Sequence, residues 1–310
     1  MLPQSLDTHI DIEKIQISMI RRESSAKKAS QICSLSQCTR QLSRRAIKRA
    51  NQTLTERELG LVFISYLYGS DLANHVCNYL NRISLQMPVS SSIFMENRQS
   101  ISEHLLNRKF VMQNKELIAA VEPVVKVFNQ LGILYYIGGS IASSVYGMPR
   151  ATQDVDLVTN LKPQHVSLLA KQLEFAYYVD IDMILDAISE GSCFNLIHLE
   201  TMIKIDIFIS KDEPYNRSAF KRKREDTLDE EENSLQFYLA SSEDVILSKL
   251  DWFRIGGYVS EQQWRDIQGV LKIQQESLDI KYLSTWAKEL NLTDLLEKAF
   301  HEAGIIIHHS

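Results

Sequence analysis

No run of about 18 or more apolar residues occurs in this sequence of 310 residues, so no membrane-spanning helix is expected. Its first residues lack the basic-then-apolar pattern and small-residue cleavage site of a secretory leader. The four cysteines, Cys33, Cys38, Cys77 and Cys193, share no CxxC spacing. They are expected as reduced thiols, buried or half-buried, in an intracellular, cytoplasmic setting. No internal repeat or low-complexity tract stands out.

What is present divides by charge. Residues 1–110 hold 15 Lys and Arg against 9 Asp and Glu, a balance of +6, and residues 111–310 hold 19 against 30, a balance of −11. The two parts are either unrelated surfaces or partners in an intramolecular contact between a basic N-terminal and an acidic C-terminal module.

The chain is organised around residues 135–160, YYIGGSIASSVYGMPRATQDVDLVTN. An apolar strand ends at Gly138-Gly139-Ser140, a turn that needs glycine's flexibility. A helix opening at Ile141 would aim its free N–H groups at that turn and form a phosphate cradle. In Asp154-Val155-Asp156-Leu157-Val158, strand alternation puts both carboxylates on one face. Two adjacent carboxylates repel unless a cation lies between them, and Mg²⁺ takes such oxygen ligands. A phosphate cradle facing paired carboxylates points to nucleotide chemistry.

Upstream, residues 1–85 read as an all-α module. Ile12, Ile15 and Met19 have helical spacing, and Thr55 with Glu58 matches a helix cap. Arg40, Arg44, Arg45, Lys48 and Arg49 form a basic run, by default a solvated face and otherwise a nucleic-acid contact. His75 reads as structural. Residues 86–112 lack a sustained apolar period and are expected to be a linker, with a frayed helix near residues 102–109.

Downstream, residues 113–240 turn α/β in pattern. A helix with Leu117, Val121, Val124, Val125 and Phe128 on one face is followed by the central stretch and a helix over residues 163–175. CFNLIHL and MIKIDIFI read as a hairpin in which Lys204 and Asp206 share a face. A carboxylate in an apolar strand is costly to bury unpaired, so Asp206 is expected to join Asp154 and Asp156 at a metal. Residues 211–233 are expected as a mobile, charge-segregated loop, followed by an edge strand at residues 237–239. Ser241 caps a helix carrying Lys249, and residues 241–310 form a helical segment. Trp252, Trp264 and Trp286 are expected in its core.

The order of glycine-serine turn, two-Asp strand and third Asp on a later strand resembles the nucleotidyltransferase superfamily typified by DNA polymerase beta, over residues 135–210. RATQDVDLV and ASSEDVILSKLDWFR…RDIQGVL resemble AbiEii-type bacterial nucleotidyltransferases, several of which are toxins of toxin–antitoxin pairs. LTERELGLVFISYLYGSDLANHV resembles a small helical protein often encoded upstream of them, which would make this chain a fusion. The resemblance implies an α+β fold: a small mixed-sheet nucleotidyltransferase core, an all-α N-terminal module and a C-terminal helical segment. It also implies two Mg²⁺ ions held by Asp154, Asp156 and Asp206, and transfer of a nucleoside monophosphate from an NTP to a protein or tRNA acceptor. Gly138, Gly139, Ser140, Arg150, Lys204 and Lys249 would contact the nucleotide, although for Arg150, Lys204 and Lys249 a surface or structural ion pair is an equal reading. The rival readings are a catalytically idle nucleotide sensor or antitoxin, a polymerase-like or tRNA-terminus-adding enzyme, and a purely structural interaction protein.

Overall fold

A computed structural model describes residues 9–86, 116–227 and 236–305. The expected linker and frayed helix fall almost wholly outside these residues, as does the acidic run at 229–232.

The elements follow from local sequence. Four N-terminal helices come first: α1 (Ile10–Arg21), α2 (Ser25–Ala50), α3 (Glu56–Tyr68) and α4 (Ser70–Gln86). Thr55 and Glu58 cap α3 reciprocally, as their spacing predicts. The α/β part runs α5 (Glu116–Gln130), β1 (Tyr135–Ile137), α6 (Gly139–Tyr146), β2 (Asp154–Thr159), α7 (Pro163–Leu173), β3 (Tyr177–Tyr178), α8 (Ile181–Glu190), β4 (Cys193–His198) and β5 (Ile203–Ile209). After it come α9 (Pro214–Arg222), β6 (Arg224–Thr227), β7 (Gln236–Leu239) and the helices α10 (Ser242–Ile255), α11 (Glu261–Gln274), α12 (Ile280–Glu289) and α13 (Thr293–Ala303).

The fold is α+β, built on a mixed sheet of order β3-β4-β5-β2-β1-β7-β6. Parallel pairing of β2 with β5 matters most, because it sets Asp154 opposite Lys204 and Asp156 opposite Asp206. One face of the sheet is apolar. Ile137, Val155, Leu157, Ile205, Ile207 and Leu239 pack there with α5, α7 and α8, and α2 adds Ala29, Ile32 and Cys33. The other face carries Tyr136 and Val158 against a cluster formed by α6 and α10 to α13. A third cluster joins Phe63, Ile64 and Val76 of α3 and α4 to Tyr178 and Ile197 of the sheet. The N-terminal helices therefore share burial with the sheet on two sides.

Several expectations are corrected. On α1 the apolar residues Ile12, Ile15 and Met19 are exposed, at 51%, 57% and 64%, while Glu13 and Ile17 are buried. The helix turns this way because Glu13 pairs with buried Lys272 of α11 at 2.7 Å. The basic run on α2 is not one solvated face. Arg40 is buried and bound to Glu116 at 3.2 Å, and Arg44 also reaches Glu116 at 3.6 Å. His75 is exposed, at a concavity between α4 and the segment around Tyr178 and Asp180, and Cys38 and Cys193 are exposed rather than buried.

Residues 214–227 form a helix and a strand instead of a mobile loop. Pro214 starts α9, whose Phe220 ring meets Tyr136 edge-on with centroids 5.1 Å apart. Because β6 then pairs with β7, the strand at 237–239 is interior rather than an edge. Trp264 and Trp286 join the C-terminal cluster, but Trp252 is 47% exposed. Its helix buries Ile246, Leu250 and Phe253 on the opposite flank. Among the described residues, no helix is long and apolar enough to cross a membrane.

Candidate active site

Strand alternation and register together assemble the site. Asp154 and Asp156 project from β2, and Lys204 and Asp206 project from the same face of neighbouring β5. Lys204 Nζ lies 2.7 Å from Asp206 Oδ2 and 4.0 Å from Asp154 Oδ2. Thr152, two residues before β2, donates its hydroxyl to Asp154 Oδ1 at 3.2 Å.

The glycine turn presses directly on the carboxylates. The Gly138 N–H donates to the Asp156 carbonyl at 2.9 Å, and the Ser140 N–H points at Asp156 Oδ2 at 3.4 Å. Gly139 has φ +50°, and a Cβ there would lie 1.7 Å from Asp156 Oδ2. Both facts require glycine. Gly138 has no such constraint, with φ −115° and its nearest neighbour, a Val158 methyl, 4.0 Å from a built Cβ. Gly138 has no side chain to cap α6, so the Asp156 carboxylate, reached by the Ser140 N–H, is the group that meets the positive end of that helix.

These contacts set the electrostatics. Burial, then the charges of Asp154 and Asp206, push the Asp156 carboxyl up to about 6, against the hydrogen bond from Ser140 and the charge of Lys249. Burial also raises Asp206, opposed by its hydrogen bond and ion pair with Lys204. Asp156 and Asp206, both largely buried beside the half-exposed Asp154, call for positive charge, and carboxylate oxygens suit Mg²⁺. Among the described residues, no three His, Cys, Asp or Glu side chains converge as a metal group. The Lys204 ammonium supplies the nearest counter-charge. The carboxylate oxygens are of the type a divalent cation takes, but as they stand they do not converge on one point, and Lys204 lies between Asp154 and Asp206.

A cleft of ≈ 520 Å³ opens beside Asp156, lined by Gly138, Gly139, Ser140, Lys211, Lys249 and Trp252 among others. That volume lies within the roughly 300–1,000 Å³ of small-molecule sites. Larger concavities exist, notably one of ≈ 770 Å³ between α1 and α2, but they lie away from the carboxylates. Trp252 contacts Phe208 edge-on with centroids 5.9 Å apart.

Arg150 and Lys249 meet at a residue the sequence did not single out. Arg150 donates Nε to Asp266 Oδ1 at 3.0 Å and one terminal nitrogen to Asp266 Oδ2 and Ser140 Oγ, both at 2.8 Å. Lys249 Nζ also lies 2.8 Å from Asp266 Oδ2 and donates to Gln263 at 2.9 Å. Burial alone would raise the Asp266 carboxyl; hydrogen bonds and charge from Arg150 and Lys249 outweigh it and hold it below the usual carboxylate range. Arg150 thus backs Ser140 from behind the turn, whereas Lys249 lines the cleft. Asp266 falls within the RDIQGVL stretch, but its role depends on contacts no spacing reveals. Tyr68, whose hydroxyl donates to the Gln153 carbonyl at 2.8 Å, and Thr152 escape the sequence for the same reason.

No protein-family model matches the chain, and no curated protein matches it. Among solved structures, it is similar to an antigenic nucleotidyltransferase-like protein from Paracoccidioides brasiliensis. The identity is 17%, with 60% of this chain and 93% of that chain covered and a TM-score of 0.38.

Proposed function

We propose that the chain is a magnesium-dependent nucleotidyltransferase, which moves a nucleoside monophosphate from an NTP to a hydroxyl of a protein or tRNA acceptor. The observation that carries this reading is the pairing of Asp156 with Asp206 across parallel strands, with Asp154 on the same face and the glycine turn against Asp156. Asp154, Asp156 and Asp206 would hold Mg²⁺, which when bound stabilises charge on the attacking and leaving oxygens of a phosphoryl transfer.

The chain's own residues supply the rest. Ser140, braced by Arg150, and the N-terminal end of α6 orient the outer phosphates, and Lys249 adds charge from the cleft wall. Asp206, raised by burial, takes the proton of the acceptor hydroxyl. The acceptor oxygen bonds to the α-phosphorus as the bond to the bridging oxygen breaks, and pyrophosphate leaves. Trp252 offers an exposed ring at the cleft for a base to stack on. A fused toxin–antitoxin role belongs to the same reading, with residues 1–85 as the second module.

One observation favours a second reading, a catalytically idle nucleotide sensor or regulator: Lys204 already neutralises Asp206. Incubation with each labelled NTP, Mg²⁺ and a mixture of protein and tRNA separates the two. Label transfer lost in Asp154→Ala/Asp156→Ala supports the enzyme. Nucleotide binding without transfer, unchanged in that variant, sinks it.

A further inference from the structure

We propose that Ser36 and Tyr68, with Arg40, are positioning residues of the carboxylate site, because they hold the backbone that leads into β2 and through it Asp154. This rests on reading the carboxylates as a cation site. The segment between α6 and β2 runs outside regular secondary structure, yet Thr152 is buried. Buried backbone polar groups need partners, and here the N-terminal helices provide them. The Thr152 N–H donates to Ser36 Oγ at 2.9 Å, and Arg40 donates to the Thr152 carbonyl at 3.4 Å. Tyr68 donates its hydroxyl to the Gln153 carbonyl at 2.8 Å.

Each of these bonds has a route to the chemistry. Thr152, gripped on both sides of its backbone, turns its own hydroxyl onto Asp154 Oδ1. The Tyr68 ring lies under the Lys204 ammonium, 5.2 Å from its centroid, so the same residue touches the leading end of β2 and the internal cation of β5. Arg40 is fixed from the other side by Glu116. Helices α2 and α3 therefore set where Asp154 and Lys204 stand relative to Asp206, and they are a working part of the site although they supply none of its carboxylates. A cation bound by the carboxylates depends on that spacing, as metal sites depend on the groups that orient their ligands.

Full-length Ser36→Ala, Tyr68→Phe and the double variant are compared with wild type and with Tyr79→Phe. The last removes a phenol–carbonyl bond of the same length, to Glu174 at the C-terminal end of α7 rather than to the segment before β2. Two readouts are taken: amide hydrogen exchange across residues 150–156, and affinity for Mn²⁺ followed by its electron paramagnetic resonance. The expected result is faster exchange in the first three variants and Mn²⁺ binding weakened about 2- to 10-fold per lost bond, the range of a single neutral hydrogen bond. Tyr79→Phe should match wild type, and Ser36→Thr, which keeps the hydroxyl, should restore binding. Wild-type exchange and affinity in the double variant overturn the proposal, as does an equal loss in Tyr79→Phe. If wild type itself takes up no Mn²⁺, the cation-site reading falls and the proposal falls with it.

Discussion

The Lys204 ammonium sits 2.7 Å from Asp206 Oδ2 and within 4.0 Å of Asp154, so a lysine stands inside the carboxylate set rather than beside it. A divalent cation at those oxygens must share them with, or displace, a fixed positive charge. Two unit charges 4 Å apart interact by about 4 kcal/mol at an effective dielectric constant near 20. The net effect is smaller, because the flexible lysine can swing away. Lys204→Met is expected to bind Mn²⁺ about 10-fold more tightly, and Asp206→Asn more weakly, by calorimetric titration. Equal affinity in Lys204→Met and wild type would show that the ammonium does not occupy the cation's place.

The two glycines of the turn should behave differently. Gly139→Ala combines a positive φ with a clash against Asp156 and is expected to destabilise the fold by about 1–3 kcal/mol and abolish cation uptake. Gly138→Ala is expected to lie within about 1 kcal/mol of wild type. Chemical denaturation with Mn²⁺ titration checks both, and a similar penalty at the two positions contradicts the geometry.

Asp266 holds two cations, Arg150 and Lys249, in a largely buried setting. Asp266→Asn leaves them without a counter-charge and should cost about 3–5 kcal/mol in urea unfolding. Adding Lys249→Met should recover part of that loss. An additive double variant would mean the two residues do not interact.

His198 offers a pH test away from the site. Burial lowers its pKa from 6.5 to about 4. A histidine depressed in the folded state contributes stability that is present above pH 6.5 and lost as pH falls, because the unfolded chain binds the proton first. The loss between pH 6.5 and 4 is expected to reach at most about 3 kcal/mol. His198→Asn should flatten that part of the stability–pH curve, measured by denaturant titration at each pH. An unchanged slope assigns it to other groups.

Much of the carboxylate site was legible because it depends on period-two alternation. DVDLV places Asp154 and Asp156 on one face and IKIDIFI does the same for Lys204 and Asp206, and the apolar faces of both strands can bury in a single sheet only in compatible registers. The β4–β5 hairpin and the helix starting at Ser242 were readable for similarly local reasons. The illegible part is tertiary. Nothing near Glu13 announces that its partner is Lys272, so the apolar stripe of α1 pointed the wrong way. Charged residues in the 211–227 stretch suggested a loop, but Ala219, Phe220 and Tyr215 were enough to fold it against the sheet and the C-terminal helices. Asp266 and Tyr68 lie 110 residues downstream and 88 upstream of Asp156, beyond the reach of any local pattern.

The Glu13–Lys272 pair spans 259 residues of chain. At synthesis rates of about 5–20 residues per second, Lys272 leaves the ribosome roughly 13–50 s after Glu13. Throughout that interval the acid side chain of α1 lacks this partner, and the helix must stay in water or on a temporary surface. The bond that buries Glu13 therefore cannot form until translation has passed residue 272, whatever its strength.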